Sequence, residues 1–233
     1  MLVVAPSGAG GRRLVRVLGA RLAEVVPGAE WIGADAPAGF AQARDGADDE
    51  RAAAALHDAL DATAPLIVAE ELKGSRSFER ALLVAARTPV LAGFVASDAS
   101  AMLSWLLRQG LAGALKVGLL RGIVSMLGTD EPCGCAAARA IPEDVARRWG
   151  MPEATAPRGN VGCAACLEQP VRRTLVPLTW TPVAGRPDAE YLVEDEERAR
   201  RARAERGDPP VLAAALSGGA DATSALVLLQ AAP

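Results

Sequence analysis

Leu2-Val3-Val4-Ala5-Pro6-Ser7-Gly8-Ala9-Gly10-Gly11-Arg12-Arg13 decides the fold of this chain. Four apolar residues predict a buried strand, and the glycine-rich run from Pro6 to Gly11 predicts a turn. Residues 12–26 follow with apolar side chains at Leu14, Val15, Leu18, Leu22 and Val25, which is helical spacing. Strand, glycine turn and helix in that order are the first half of a parallel βα unit. Such a turn aims its N–H groups and the helix N-terminus at one point, where an anion is favoured. The full phosphate-binding pattern is G-x-x-x-x-G-K-[ST]. Here Ala5 stands at the first glycine, Gly10 at the second, Gly11 at the lysine and Arg12 at the hydroxyl residue. The backbone of Ser7, Gly8, Gly10 and Gly11 keeps the cradle, and Arg12 and Arg13 stand beside it. The ammonium for the β/γ-phosphates and the magnesium ligand are missing, because a guanidinium only donates hydrogen bonds. Two readings follow: a weak anion site, or a tight βα turn without a ligand. A dinucleotide turn fits less well, since Arg13 stands where that pattern has its third glycine.

The alternation continues beyond the first helix. The sequence predicts a short strand at 30–33, a polar loop over 38–49 and an alanine-rich helix over 51–60. Leu66-Ile67-Val68-Ala69 is a second buried strand, ending on Glu70 and Glu71. Alternation along that strand turns Glu71 away from the face of Glu70. A helix over 77–87, a strand over 90–95 and helices filling 99–127 complete a parallel sheet covered on both faces. The predicted organisation is an α/β core over 1–127, a cysteine-bearing module over 128–180 and a helical segment over 181–233. Within the last segment, 194–206 is charged and reads as a solvated helix. Residues 211–230 read as two short apolar helices divided by Gly218-Gly219.

The 233 residues fit one large domain, or one core with a small appendage, and 51% of them are hydrophobic. A net charge of −3 and a pI near 5.4 argue against a dedicated nucleic-acid binder. The apolar stretch 101–126 is interrupted by Arg108, Lys116 and Arg121 and is read as core helices. No run reaches the roughly 18 to 20 residues of a membrane helix. Met1 leads into a strand with no charged n-region, so a cytoplasmic location is expected. The only lysines are Lys73 and Lys116, which limits where a catalytic lysine can come from.

Cys133-Gly134-Cys135 and Cys163-Ala164-Ala165-Cys166 hold all four cysteines, with the 27 residues 136 to 162 between the pairs. In a cytosolic chain, two close pairs favour a zinc site over free or disulfide-paired thiols. Two knuckles of thiolates complete a tetrahedral S₄ site, which is structural because no position is left for water. The C-x-C spacing is tighter than the commoner C-x-x-C.

Taken in order, these elements resemble the C-terminal half of the motor ATPases of type II secretion and type IV pilus assembly. Those proteins have a G-P-T-G-S-G-K-[ST]-T loop, a strand ending V-G-E-I-R-D, an L-x-T-L-H-T-N-D-A box, a helical stretch near A-Q-R-L, and a four-cysteine zinc module. Here Ala5 to Arg13 match the loop, and Leu66-Ile67-Val68-Ala69-Glu70 matches the strand with its glutamate. Val90 to Ala99 match the histidine box, and Gly122 to Leu127 the helix before the zinc module. Cys133, Cys135, Cys163 and Cys166 match the cysteines, and Arg172 or Arg173 the closing arginine. The resemblance implies a P-loop NTPase (RecA-like) core with a mainly parallel sheet, a small zinc module and C-terminal helices. It also implies that the family's N-terminal domain lies outside this chain. In that family the glutamate at Glu70 orients the attacking water or the magnesium shell.

The departures are systematic. Gly11 replaces the loop lysine, Arg12 its hydroxyl neighbour, Val95 the box histidine, and Leu72-Lys73 the R-D after the glutamate. Removing one group that stabilises a developing charge can cost about 3 kcal/mol, and several are missing together. Glu70 is read either as the remaining catalytic acid or as a solvated carboxylate at a strand end. His57, the sole histidine, has no nucleophile placed near it by any motif, and Ser7, Ser97 and Ser217 lack a G-x-S-x-G frame. Three functional readings follow. The first is a degenerate, non-hydrolysing interaction or scaffold subunit of a secretion or pilus system. The second is a divergent NTPase of the same family, using Arg12 or Arg13 for phosphate and Glu70 for water. The third is a regulator that binds nucleotide without hydrolysing it. Structural zinc is the expected cofactor, while the loop lysine and hydroxyl that hold ATP and magnesium in that family are missing here. The expected partners are proteins of such a machine or an active motor ATPase. Nucleic acid is excluded, and the chain is at most peripheral to a membrane.

Overall fold

The structure, a computed structural model, describes residues 1–61, 63–130, 132–149, 151, 157–165, 174–175, 178–183, 196–205, 210–217, 221–222 and 225–226. β1 (Leu2–Ala5) enters α1 (Gly11–Val25) through the glycine turn, followed by β2 (Glu30–Ile32), β3 (Gln42–Arg44) and α2 (Asp49–Ala59). β4 (Ile67–Leu72), α3 (Ser75–Ala85), β5 (Val90–Val95), α4 (Ala99–Arg108) and α5 (Ala112–Lys116) continue the alternation. Then come β6 (Gly122–Met126), β7 (Thr129–Asp130), β8 (Ala137–Ala138), α6 (Glu143–Arg148), β9 (Arg158–Gly159), β10 (Thr174–Leu175) and β11 (Leu178–Pro182). Described residues of the C-terminal part form α7 (Glu196–Glu205) and α8 (Val211–Ser217).

The main sheet has the order β11-β6-β1-β5-β4-β2-β3. All its pairings are parallel except that of β11 with β6. A parallel sheet must be covered on both faces, and β1 divides its four side chains accordingly. Leu2 and Val4 join a core under α2, α3, α4 and α5, while Val3 and Ala5 join a second core with Val15 of α1 and with Val211, Leu212, Ala215 and Leu216 of α8. No helix among the described residues is long and apolar enough to cross a membrane.

Several expectations are corrected. Gly122–Met126 is a strand, not the end of a helical run: Leu2 pairs with Ile123 on one side of it, and Met126 with Leu178 on the other. A strand covered on both faces reads as a continuous apolar run, and periodicity alone does not separate it from a buried helix. The stretch 38–49 is not all loop, since Gln42–Arg44 adds the outermost parallel strand. The charged helix Glu196–Glu205 is not simply solvated, because Ala199 and Arg200 are buried. Gly218-Gly219 lies outside the described residues.

Candidate functional site

The loop hangs from the carboxyl end of β1, where the sheet order places β1 between β5 and β6. That crevice is where open α/β sheets hold ligands. Pro6 O accepts from Ala9 N at 3.1 Å, and Ala9 O accepts from Gly128 N at 3.2 Å, tying the turn to the residue after β6 and Leu127. Gly10 takes the left-handed conformation at φ 89°, ψ 11°, and gives α1 its N-cap without a side-chain hydrogen bond. The first-turn N–H groups of Gly11, Arg12 and Arg13 therefore have no intrahelical acceptor. Around them lies a cavity of about 500 Å³ lined by the loop, Glu70, Glu71 and Gly93 to Val95. Ser7, Gly8, Gly10, Gly11, Arg12, Arg13 and Glu70 thus converge on one cavity.

Position 11 is sterically constrained. A Cβ on Gly11 would lie 2.9 Å from the methyl carbon of Ala5, closer than side chains tolerate. The two departures from the phosphate-binding pattern are therefore one steric unit. The side chain at position 5 fills the space into which a side chain at position 11 would extend.

Glu70 and Glu71 do not alternate. The β4–β5 register runs Ala69 opposite Ala92, then Leu72 opposite Phe94, so Glu70 and Glu71 together face Gly93. This β-bulge turns both carboxylates toward α1. Glu70 accepts from Arg16 Nη1 at 3.1 Å. Glu71 accepts from Arg12 Nε, from Arg12 Nη2 at 3.1 Å and from Lys73 Nζ at 2.6 Å. Arg12 and Arg16 are four residues apart, hence on one face of the helix. Arg16 also donates to Ala34 O and Asp35 O and lies 5.6 Å from the Trp31 ring centroid. Gly93 is required opposite the bulge, since a Cβ there would fall 2.4 Å from the Glu70 carbonyl oxygen.

Burial raises the Glu71 carboxyl pKa, but the hydrogen bonds and charges of Arg12 and Lys73 outweigh it and hold Glu71 below the ordinary carboxylate range. Arg12 is raised in turn, chiefly by its hydrogen bond to Glu71. Lys73 is held by Glu71, the same carboxylate that binds Arg12 at this cavity, and Lys116 ends α5 on the surface. Among the described residues, Arg13 makes no ion pair, and it is exposed at the cavity mouth. The sequence had singled out Glu70 and Arg12 but missed Arg16, Glu71 and Gly93. The available signal was the arginine pair at i, i+4 facing two consecutive glutamates.

The box after β5 is also occupied internally. Asp98 accepts from Ala101 N at 2.9 Å as the N-cap of α4, and from Arg200 Nε at 2.8 Å. Arg200 also donates to Ser97 and Glu196 and stacks 4.2 Å from the Trp149 ring centroid. His57 is exposed on α2 and does not line the loop cavity.

The cysteine knuckles meet where β8 and β9 pair. The ligand sulfurs of Cys133, Cys135 and Cys163 lie within 4.8 Å of one another, and those of Cys133 and Cys163 are 3.8 Å apart. Tetrahedral zinc with bonds of about 2.3 Å separates its sulfurs by about 3.8 Å, so the donor set fits a thiolate-bound metal. Gly162, at φ 87°, makes the turn before Cys163, and Asn160 Oδ1 accepts from Cys133 N at 2.7 Å. Cys166, Arg172 and Arg173 lie outside the described residues.

No family model matches the chain, and no curated protein does. Solved structures do. The ATPase DotB of Legionella pneumophila is similar with a TM-score of 0.55 at 13% identity, over 99% of this chain and 59% of that one. The pilus retraction motor PilT with bound ADP is similar with a TM-score of 0.58 at 14% identity, over 100% of this chain and 61% of that one. The ATPase DotB of Yersinia pseudotuberculosis gives 0.55 at 11% identity, over 99% and 57%. The chain thus spans less than two thirds of each of these proteins. It has a mixed α/β fold with a mainly parallel seven-stranded sheet, similar to that of the P-loop ATPases DotB and PilT.

Proposed function

We propose that this chain is a non-hydrolysing relative of the secretion and pilus motor ATPases, acting in the cytoplasm as an interaction or scaffold subunit of such a machine. One observation carries the reading: the lysine that phosphoryl transfer uses is replaced by Gly11, where even a Cβ would meet the Ala5 methyl carbon at 2.9 Å and require the loop to shift. The ion pairs support it. Glu70, the one acid in the position of a water-orienting glutamate, is bound to Arg16, and Arg12 is bound to Glu71. What remains for an anion is the loop backbone of Ser7, Gly8, Gly10 and Gly11, with Arg13 at the mouth. Weak, magnesium-independent phosphate binding is compatible with this arrangement. Steady-state ATP hydrolysis is expected to be no faster for the wild type than for Glu70→Gln. A wild type that clearly outpaces that variant would make the chain an active NTPase.

We further propose that Cys133, Cys135, Cys163 and Cys166 hold one structural zinc ion. The convergence of the three described sulfurs supports this reading. Elemental analysis is expected to give about one zinc per chain, reduced in Cys133→Ser. Purified protein without zinc would overturn it.

A further inference from the structure

We propose that Glu71 is a tethered anion in the wall of the loop cavity, withholding Arg12 from any phosphate ligand. The cavity would then admit a pyrophosphate-bearing molecule well only when Glu71 lets Arg12 go. The proposal deepens the reading above in one respect: it rests on the loop being an anion cradle. It does not depend on whether ATP is hydrolysed.

α1 carries two arginines directly after its first residue, Gly11, and no acidic residue in its first turn. Cations at a helix N-terminus oppose the macrodipole, so this turn is electrostatically incomplete without an anion. The nearest one comes from the chain itself. The bulge between Ala69 and Leu72 brings Glu71, which a regular strand would point away, to the α1 side of β4. There its two oxygens take both Arg12 donors and the Lys73 ammonium. A two-point guanidinium–carboxylate contact is also how an arginine grips a phosphate, so ligand and Glu71 compete for the same donors. The bulge is built in rather than incidental, because only glycine fits at position 93 against the Glu70 carbonyl. The clamp is also displaceable. The Arg12 side chain is 57% exposed, so releasing Glu71 leaves no buried, unpaired guanidinium.

The test uses the full chain and inorganic pyrophosphate, titrated calorimetrically without magnesium. Glu71→Gln is expected to bind pyrophosphate about tenfold tighter than the wild type, and Arg12→Gln/Glu71→Gln to lose that gain. Glu24→Gln, which removes a carboxylate from a surface pair with Arg21, is expected to change nothing. Arg12→Gln alone gives an arm that does not depend on the folding of Glu71→Gln. If Glu71 withholds Arg12, this variant binds pyrophosphate as the wild type does, within about twofold. A tenfold loss in Arg12→Gln would mean that Arg12 already serves the ligand, and would overturn the proposal. A Glu71→Gln gain that persists without Arg12, or no gain at all, would do the same. If no variant binds pyrophosphate, Glu71→Gln included, the proposal fails because the cradle does. ATP hydrolysis by the wild type would overturn the non-hydrolysing reading alone.

Discussion

Arg200–Asp98 and Arg12–Glu71 join the same two functional groups in two different surroundings. The first pair sits at 0% and 1% side-chain exposure between α7 and the start of α4, roofed by Trp149. The second sits at 57% and 13% at the mouth of the loop cavity. Burial disfavours the charge on Arg200, but Asp98 and Glu196 outweigh it and its pKa is raised. In the dry pair each charge depends on the other, since water cannot replace a lost partner. In the second pair water and ligands can reach the exposed Arg12, and Lys73 stays beside the more buried Glu71, so the contact contributes little to stability and is free to act as a competitor. Geometry alone does not separate a fastening from a gate; the solvent around the pair does.

The largest effect is expected where the comparison is sharpest. Arg200→Met leaves Asp98 buried without its partner and should cost about 3–5 kcal/mol in chemical denaturation. Adding Asp98→Asn should recover part of that loss, because the uncompensated charge is gone while an asparagine can still cap α4. Additive losses would show that the two residues are not coupled.

Next come the steric positions that frame the gate. Gly93→Ala meets the Glu70 carbonyl, which cannot swing aside as a side chain would, and should cost about 1–3 kcal/mol. Gly11→Lys should cost a similar amount because of the Ala5 methyl, and Ala5→Gly/Gly11→Lys should relieve it. Thermal melting of the three variants checks both statements. An undiminished melting temperature in Gly11→Lys would mean that the loop yields and that position 11 is open after all.

The smallest effect belongs to the wet pair. Glu71→Gln should change stability by less than about 1 kcal/mol near neutral pH. The sign with pH follows from the shift. The folded pKa of Glu71 is lowered from 4.5, so its contribution is present above that value and is lost as pH falls through the folded value. Wild type and Glu71→Gln should therefore converge in stability below about pH 4.5, and added salt should narrow the gap at neutral pH. A difference that grows on acidification would contradict the ion-pair geometry.

Much of the fold was legible because local pattern and tertiary environment agree. Val90–Val95 is a strand at the predicted bounds, because Pro89 and Ser97-Asp98 bound a run too short for a helix, and α1 follows the loop directly on a 3.6-residue period. Gly122–Met126 was not legible as a strand, because a run buried on both faces has no period to read.

The sequence by itself determined the strand–turn–helix start, the absence of a lysine at position 11 and of a hydroxyl residue at position 12, and the two cysteine pairs. These are statements about which atoms are present and how they repeat along the chain. The tertiary structure alone decided where the charges go. A single extra residue in the bulge turns Glu71 onto the side of Glu70, reversing what alternation predicts. Arg200 reads as one charge in a solvated helix until Asp98, 102 positions earlier, meets it in the interior. Both outcomes depend on contacts distant in sequence, and no local window contains the partner that sets a charge's environment.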